Sequence, residues 1–376
     1  MYIQIDKAGF VNKGAELMLH AITERLSKEH QLDPKFVYGR NYLNKKTDEL
    51  IRRNGLFKKF EFQRYRLPLE KVMHQKRLDP FGLVKEESVQ VILDAGGFQF
   101  GDQWVGSNSV EKNQEIKNYY QKYKERGAKI IFLPQAFGPF KEKLSKEQIN
   151  IVFENADLMY ARDPISFQYL TEIFGNHKKI KQAPDFTILL HPDINLSLYQ
   201  LVKDAVCIVP NAKMVSHTST DVANNYYNFL VNLTKFFIEK GEKVVLLNHE
   251  SVGDYKIMSQ ISESVNNQVV LLNELNALQV KAVIGHTKLL ISSRFHGVVS
   301  GLNQQVPTFC TSWSHKYDEL LKLYGCSNAI LDVNANIDTT LQQISERSTQ
   351  VASNDRLAEL KGQVNKMWKD IIDLIN

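Results

Sequence analysis

The sequence predicts two doubly wound, Rossmann-like α/β domains facing a cleft, and three observations carry that expectation. Short apolar runs alternate with segments of helical spacing from end to end, the rhythm of strand, loop and helix units that build a parallel sheet. At 376 residues the chain exceeds what one hydrophobic core serves, and its 43% apolar content suffices for two. Each apolar run ends in a polar or glycine-containing loop, and folds of this class place ligands at the carboxyl ends of their strands.

In the first half, strands are expected at Val89–Leu93, Ala128–Leu133 and Leu158–Tyr160, with helices near Ala15–Lys28, Val110–Glu125 and Pro164–Ile173. In the second half the alternation is cleaner. Strands are expected at Ala205–Val209, Lys243–Leu247, Val269–Leu272, Lys288–Ile291, Pro307–Cys310 and Ile330–Val333, separated by helices. A boundary near His191–Leu201 divides an N-terminal domain, 1–195, from a C-terminal domain, 196–350. Leu357, Leu360, Val364, Met367, Ile371 and Leu374 then recur at helical spacing, so 351–376 reads as a packing helix.

Composition excludes several function classes. A net charge of +5, without a long basic helix or finger spacing, carries no nucleic-acid signature. The opening MYIQIDKAGF lacks the layout of a secretory signal, and no stretch is apolar enough to span a bilayer, so a cytoplasmic location is expected. The sequons at Asn195 and Asn232 would matter only in a secreted protein. Cys207, Cys310 and Cys326 are too few and too far apart for a disulfide framework or a zinc site. One region breaks the alternation. Residues 51–85 carry ten Lys or Arg against three acidic residues, with Phe57, Phe60, Phe62, Tyr65 and Phe81 interleaved. It reads as a solvated basic insertion or as a surface resting peripherally on anionic lipid at the inner face of a membrane.

The residues placed for chemistry follow the strands. Asp94-Ala95-Gly96-Gly97 closes one strand, where paired glycines permit a tight turn and close backbone approach. Pro134-Gln135-Ala136-Phe137-Gly138-Pro139 closes the next; Gln135 offers a donor and an acceptor to a hydroxylated ligand, and a rigid structural turn explains the prolines equally well. After the third, Asp163 before Pro164 reads as a helix N-cap, while Arg162 suits either a carboxylate or phosphate ligand or a salt bridge. The most informative stretch is Ser292-Ser293-Arg294-Phe295-His296-Gly297, between an apolar strand and an apolar helix. Arg294 and His296 there flank a helix N-terminus that favours an anion, and Lys316 follows the next strand. Near the N-terminus, Asn12 reads as a helix cap and Glu16 as the candidate base for a sugar hydroxyl.

Taken in order, these pieces resemble the polysaccharide pyruvyl transferase family. The resemblance rests on the Asn12, Gly14, Glu16 turn, the Gly96-Gly97 loop, Pro134-Gln135 with Gly138-Pro139, Arg162-Asp163 with Ser166, Pro184-Asp185, Arg294-Phe295-His296 and Lys316. Ala15 stands where the family more often has an acidic residue, and Ala95 where it has a third glycine. The resemblance implies a GT-B-like fold and transfer of pyruvate from phosphoenolpyruvate onto two hydroxyls of a sugar as a cyclic ketal. It puts Arg162, Arg294, His296 and Lys316 on the donor, with His296 and Glu16 as acid and base. Asn12, Gly14, Gly96, Gly97 and Gln135 fall on the acceptor side, the acceptor being a sugar of a bacterial surface polysaccharide or its lipid-diphosphate-linked precursor. No cofactor is required by that chemistry, and no metal-ligand cluster is visible, which leaves room for a loosely bound divalent cation only.

Two rival readings stay open at this point. One is a GT-B nucleotide-sugar glycosyltransferase, with Asp318 or Glu319 facing the donor ribose or sugar. The other is a non-catalytic sugar-binding component of a polymer-assembly complex, against which stands the convergence of Arg, His and Lys after separate strands. Oligomeric state is not encoded in any of these patterns.

Overall fold

The computed structural model describes residues 1–39, 45–59, 74–107, 109–250, 252–312 and 316–376. It divides into two compact units, each assembled from separated stretches of chain. The first comprises Met1–Phe10, Met18–Phe186 and Gln363–Asn376, the second Val11–Leu17 and Thr187–Gly362. Residues 196–350 thus lie wholly in the second unit, and the 351–376 segment divides at Gln363.

The first unit is built on a parallel sheet of nine strands: β1 (Tyr2–Asp6), β2 (Lys35–Tyr38), β3 (Phe57–Lys59), β4 (Leu83–Val84), β5 (Val89–Asp94), β6 (Phe98–Phe100), β7 (Lys129–Phe137), β8 (Leu158–Ala161) and β9 (Ile180–Gln182). Their order is β4-β3-β2-β1-β5-β7-β8-β9, with β6 paired to β7. The order reverses direction at β1, which lies between β2 and β5 with Asp6 and Asp94 in register. Such a switch point is where an open α/β sheet leaves a crevice at its carboxyl edge. Ile92, Ile130, Phe132, Met159 and Leu170 form the core that holds these strands, packed against Tyr120 and Tyr123 of the Val110–Lys124 helix. That helix starts where Ser109 accepts a hydrogen bond from the Lys112 N–H, so an ordinary serine N-cap fixes which turn faces the sheet.

The second unit has a five-stranded parallel sheet: β10 (Val206–Val209), β11 (Val244–Leu247), β12 (Val270–Leu272), β13 (Leu289–Ser292) and β14 (Thr308–Cys310), ordered β12-β11-β10-β13-β14. Buried Cys207, Val209, Val245, Leu247, Val283 and Leu290 make its core. The strands are apolar on both faces, as expected for a sheet covered by helices on each side. One expected strand shrinks. Ile330–Val333 keeps a single bridge to Cys310 because the chain turns at Asp332, whose side chain accepts from the Asn334 N–H at 2.9 Å. All three cysteines are free and buried.

The sequence reading left β2, β3, β4, β6 and β9 unassigned; they are edge or short strands of two to four residues. Of the basic region 51–85, Phe60, Phe62 and Tyr65 lie outside the described residues. In its described part Arg52 and Lys58 pair with Asp48 and Arg53 with Glu49, and Phe81 is exposed. Among the described residues no helix is long and apolar enough to cross a membrane.

Candidate active site

The second unit gathers the 12–16 turn and the 294–296 turn into one neighbourhood. Asn12 accepts from the Gly14 and Ala15 N–H groups at 2.8 and 3.2 Å, capping the Lys13–Ser27 helix, and its amide donates to Glu250 at 2.8 Å. Gly14 packs against the His296 ring, so close that a Cβ at position 14 would overlap Nδ1. Glycine is required there by contact, because any side chain would push the imidazole away. Glu16, 4% exposed, pairs with Lys13 at 2.6 Å.

Arg294 sits at the N-cap of the Phe295–Asn303 helix and makes no side-chain capping bond. Its guanidinium turns instead to Asp254, a fully buried carboxylate in the first turn of the Val252–Ser264 helix, with Nε to Oδ2 at 2.9 Å and Nη2 to Oδ1 at 2.6 Å. Nη1 meets Glu250. The bidentate fork is therefore occupied by protein, and burial lowers the Arg294 pKa to about 10. The backbone beneath is knitted across three strand ends: Tyr226 and Thr311 bond the Ser293 hydroxyl, each at 2.7 Å, while Asn211 and Tyr317 donate to the Ser293 carbonyl, each at 2.8 Å. Lys316 stands 5.4 Å from the Phe295 ring centroid and 5.7 Å from that of Tyr317.

His249, Glu250 and Asp254 belong to this cluster and were missed by sequence reasoning. His249 and Glu250 follow β11 as Arg294 follows β13, so the strand-end rule points to the place but not to the charge that Glu250 and Asp254 neutralise. His249 is 4% exposed, and its Nδ1 has no hydrogen-bond partner among the described residues. Burial, then the charge of Arg294, His296 and Lys13, hold its pKa well below the usual histidine range, which keeps the ring neutral.

The first unit gathers a second set. Asp94, fully buried at the end of β5, accepts from the Gly96 N–H at 3.0 Å, Gln99 at 2.6 Å and Tyr120 at 3.2 Å. Gln135 is fully buried with its amide turned inward, bonded to Gln99 at 3.0 Å and to Asp94 at 3.4 Å, so it holds the loop's shape. Arg162 lies beside Gly97 and 3.9 Å from Asp185, both charges nearly inaccessible. Asp163 caps the Pro164–Phe174 helix through the Ser166 N–H, and the Ser166 hydroxyl accepts from the Phe137 N–H, tying the helix to the loop after β7. Gly96, Gly97, Gln135 and Arg162 are thus brought together in the first unit; Asn12, Gly14, Glu16, Arg294, His296 and Lys316 belong to the second.

A profile of the polysaccharide pyruvyl transferase family matches residues 12–315. The chain belongs to that family. Its fold is GT-B-like, as comparison with solved structures shows. It superposes on UDP-GlcNAc 2-epimerase from Methanocaldococcus jannaschii with a TM-score of 0.61 at 10% identity, covering 99% of each chain. The Neisseria meningitidis UDP-GlcNAc 2-epimerase, solved bound to UDP-GlcNAc, gives 0.60 at 9% identity, covering 99% of this chain and 100% of that one. The Anabaena HepE protein in complex with UDP and glucose gives 0.56 at 12% identity, covering 100% and 98%. At these identities the likeness is one of fold alone. Of the acids considered for a nucleotide-sugar site, Glu319 is bonded to Lys322 at 2.9 Å and Asp318 is exposed.

Proposed function

We propose that this chain moves pyruvate from phosphoenolpyruvate onto two hydroxyls of a sugar, in a bacterial surface polysaccharide or its lipid-linked precursor. The observation that carries the reading is the packing of His296 onto Gly14, which joins the two turns most characteristic of the family resemblance in one place. In the same cluster Lys13 pairs with Glu16, Arg294 pairs with Glu250 and Asp254, and Lys316 lies by the Phe295 ring. A small dianion is suited to such a setting at a helix N-terminus whose N-cap residue makes no side-chain cap.

In this reading His296 delivers a proton to the methylene carbon of the donor, which becomes a methyl group and leaves an oxocarbenium-like centre at the neighbouring carbon. One sugar hydroxyl adds there and loses its proton to Glu16, the bond to phosphate breaks, and the second hydroxyl closes the ketal. Of the two hydroxyl protons released, one replaces the proton given to carbon and the other leaves with phosphate. Arg294 and Lys316 supply the positive charge that the donor's phosphate and carboxylate require; because the Arg294 fork is held by Asp254, its share is electrostatic rather than a bidentate clasp. No cofactor or metal is needed for these steps. The lipid-linked form of the acceptor would bring the basic region 51–85 to an anionic surface; absence of binding to anionic liposomes would remove that part alone.

A ligand that binds only the folded state raises its apparent stability. Phosphoenolpyruvate is expected to raise the thermal midpoint, and Gly14→Ala, which displaces the imidazole, is expected to abolish that rise. A shift with UDP-sugars and none with phosphoenolpyruvate would overturn pyruvyl transfer in favour of glycosyl transfer.

A further inference from the structure

The first unit contains a cavity of about 420 Å3 at the switch point of its sheet, lined by Asp6, Lys7 and Gly39 at the strand ends, Lys59 at the end of β3, and Glu115, Ile116, Tyr119 and Tyr120 on the Val110–Lys124 helix. Its size lies within the range of small-molecule sites. None of the residues that point to the family lines it.

Three features show that the space is shaped. A Cβ at Gly39 would overlap the Asp6 carboxylate and the Ile5 carbonyl, so the chain passes over Asp6 only because position 39 has no side chain. Lys7, in the lining, adopts a left-handed backbone at φ 63°, unusual for a residue with a side chain. Asp6 itself, 5% exposed, accepts from Gln4 at 2.8 Å and Tyr119 at 2.6 Å, which uses two of the roughly four acceptor directions of a carboxylate.

The chemistry of the lining selects a ligand class. Asp6 and Glu115 accept, Lys7 and Lys59 donate, and the Tyr119 and Tyr120 rings supply apolar wall. Two carboxylates disfavour a dianion, and four ionisable groups disfavour an apolar guest. A hydroxyl is both donor and acceptor, and a vicinal diol spans a carboxylate and an ammonium at once. We infer that this cavity binds a neutral pyranose through Asp6, Glu115 and Lys59; resting on the proposed pyruvyl transfer, that sugar is the acceptor.

The test measures sugar binding without phosphoenolpyruvate. Saturation-transfer NMR on the full chain would use the methyl glycosides of glucose, galactose, mannose and N-acetylglucosamine. At least one is expected to bind saturably. Lys59→Ala and Glu115→Gln, both at the solvent side of the cavity, should each weaken that binding about tenfold, the effect of losing one hydrogen bond to a charged group, with an unchanged circular dichroism spectrum. Absence of binding by all four, indifference of binding to both variants, or displacement of the sugar by inorganic phosphate overturns the inference. Binding that behaves as expected, without incorporation of pyruvate into the bound sugar, removes the transfer reading and leaves the pocket. Pyruvate transfer with an acceptor KM unaffected by either variant removes the pocket and leaves the transfer.

Discussion

Asp254 in the second unit and the Asp6 and Asp94 pair in the first are all almost inaccessible to water, yet they are stabilised by opposite means. Asp254 faces a guanidinium along both of its oxygens. Asp6 and Asp94 are held by amides, phenols and a backbone N–H. Neutral donors compensate burial only in part, so desolvation pushes the Asp6 pKa up to about 6, with Asp94 adding to the rise, and raises Asp94 as well. The contrast teaches that one cluster holds fixed charge, suited to a charged ligand, while the other can change its charge near neutral pH and suits a hydroxylated one.

The largest expected effect breaks the fixed-charge side. Arg294→Ala strands a fully buried carboxylate and should destabilise the second unit by about 3–5 kcal/mol. Urea unfolding followed by circular dichroism would show it, and a loss below about 1 kcal/mol would mean that Asp254 is relieved by another group.

Next comes steric disruption of the other side. Gly39→Ala forces the Asp6 carboxylate or the Ile5 carbonyl to move, for an expected loss of about 1–3 kcal/mol. Unlike Gly14→Ala, it should leave the thermal shift from phosphoenolpyruvate intact, and equal loss of that shift in both variants would erase the distinction between the clusters.

A third effect is pH dependence. The Asp6 pKa is raised in the folded state, so the folded chain holds the proton more tightly than the unfolded one. Its contribution to stability is complete below pH 4 and is lost as pH rises through about 6. Asp6→Asn removes this loss, and its stability relative to the native chain should improve by about 2 kcal/mol between pH 4 and pH 7.5. A stability difference that stays flat over that interval would show that Asp6 ionises without penalty. The smallest effect sharpens the structural background. Asp163→Ala removes the helix cap at Ser166 and should cost about 1 kcal/mol in thermal unfolding without altering ligand shifts.

Much of this was legible in the sequence because strong local patterns coincide with the core. β5, β7, β8, β10, β11, β13 and β14 are apolar runs closed by polar residues, and the residues at or after their ends include Asp94, Arg294 and His296. β3, β4 and β6 are too short to show a period. The pairing of Asp6 with Asp94 depends on β1 lying beside β5, which is a fact of strand order and not of spacing along the chain. Glu250 and Asp254 escaped for a different reason. Acidic residues after a strand read as ordinary solvated loop, and only the guanidinium opposite them reveals their purpose.

The Lys13–Ser27 helix changes allegiance between Leu17 and Met18, and the Asn354–Ile375 helix does so at Gln363. Neither unit can therefore be liberated by a single cut. A protease acting near residue 187 would leave each fragment carrying a piece of the other's core and lacking a piece of its own. Exchange of one half with a relative, whether in evolution or by design, has to transplant the 11–17 turn and the last fourteen residues along with the obvious block.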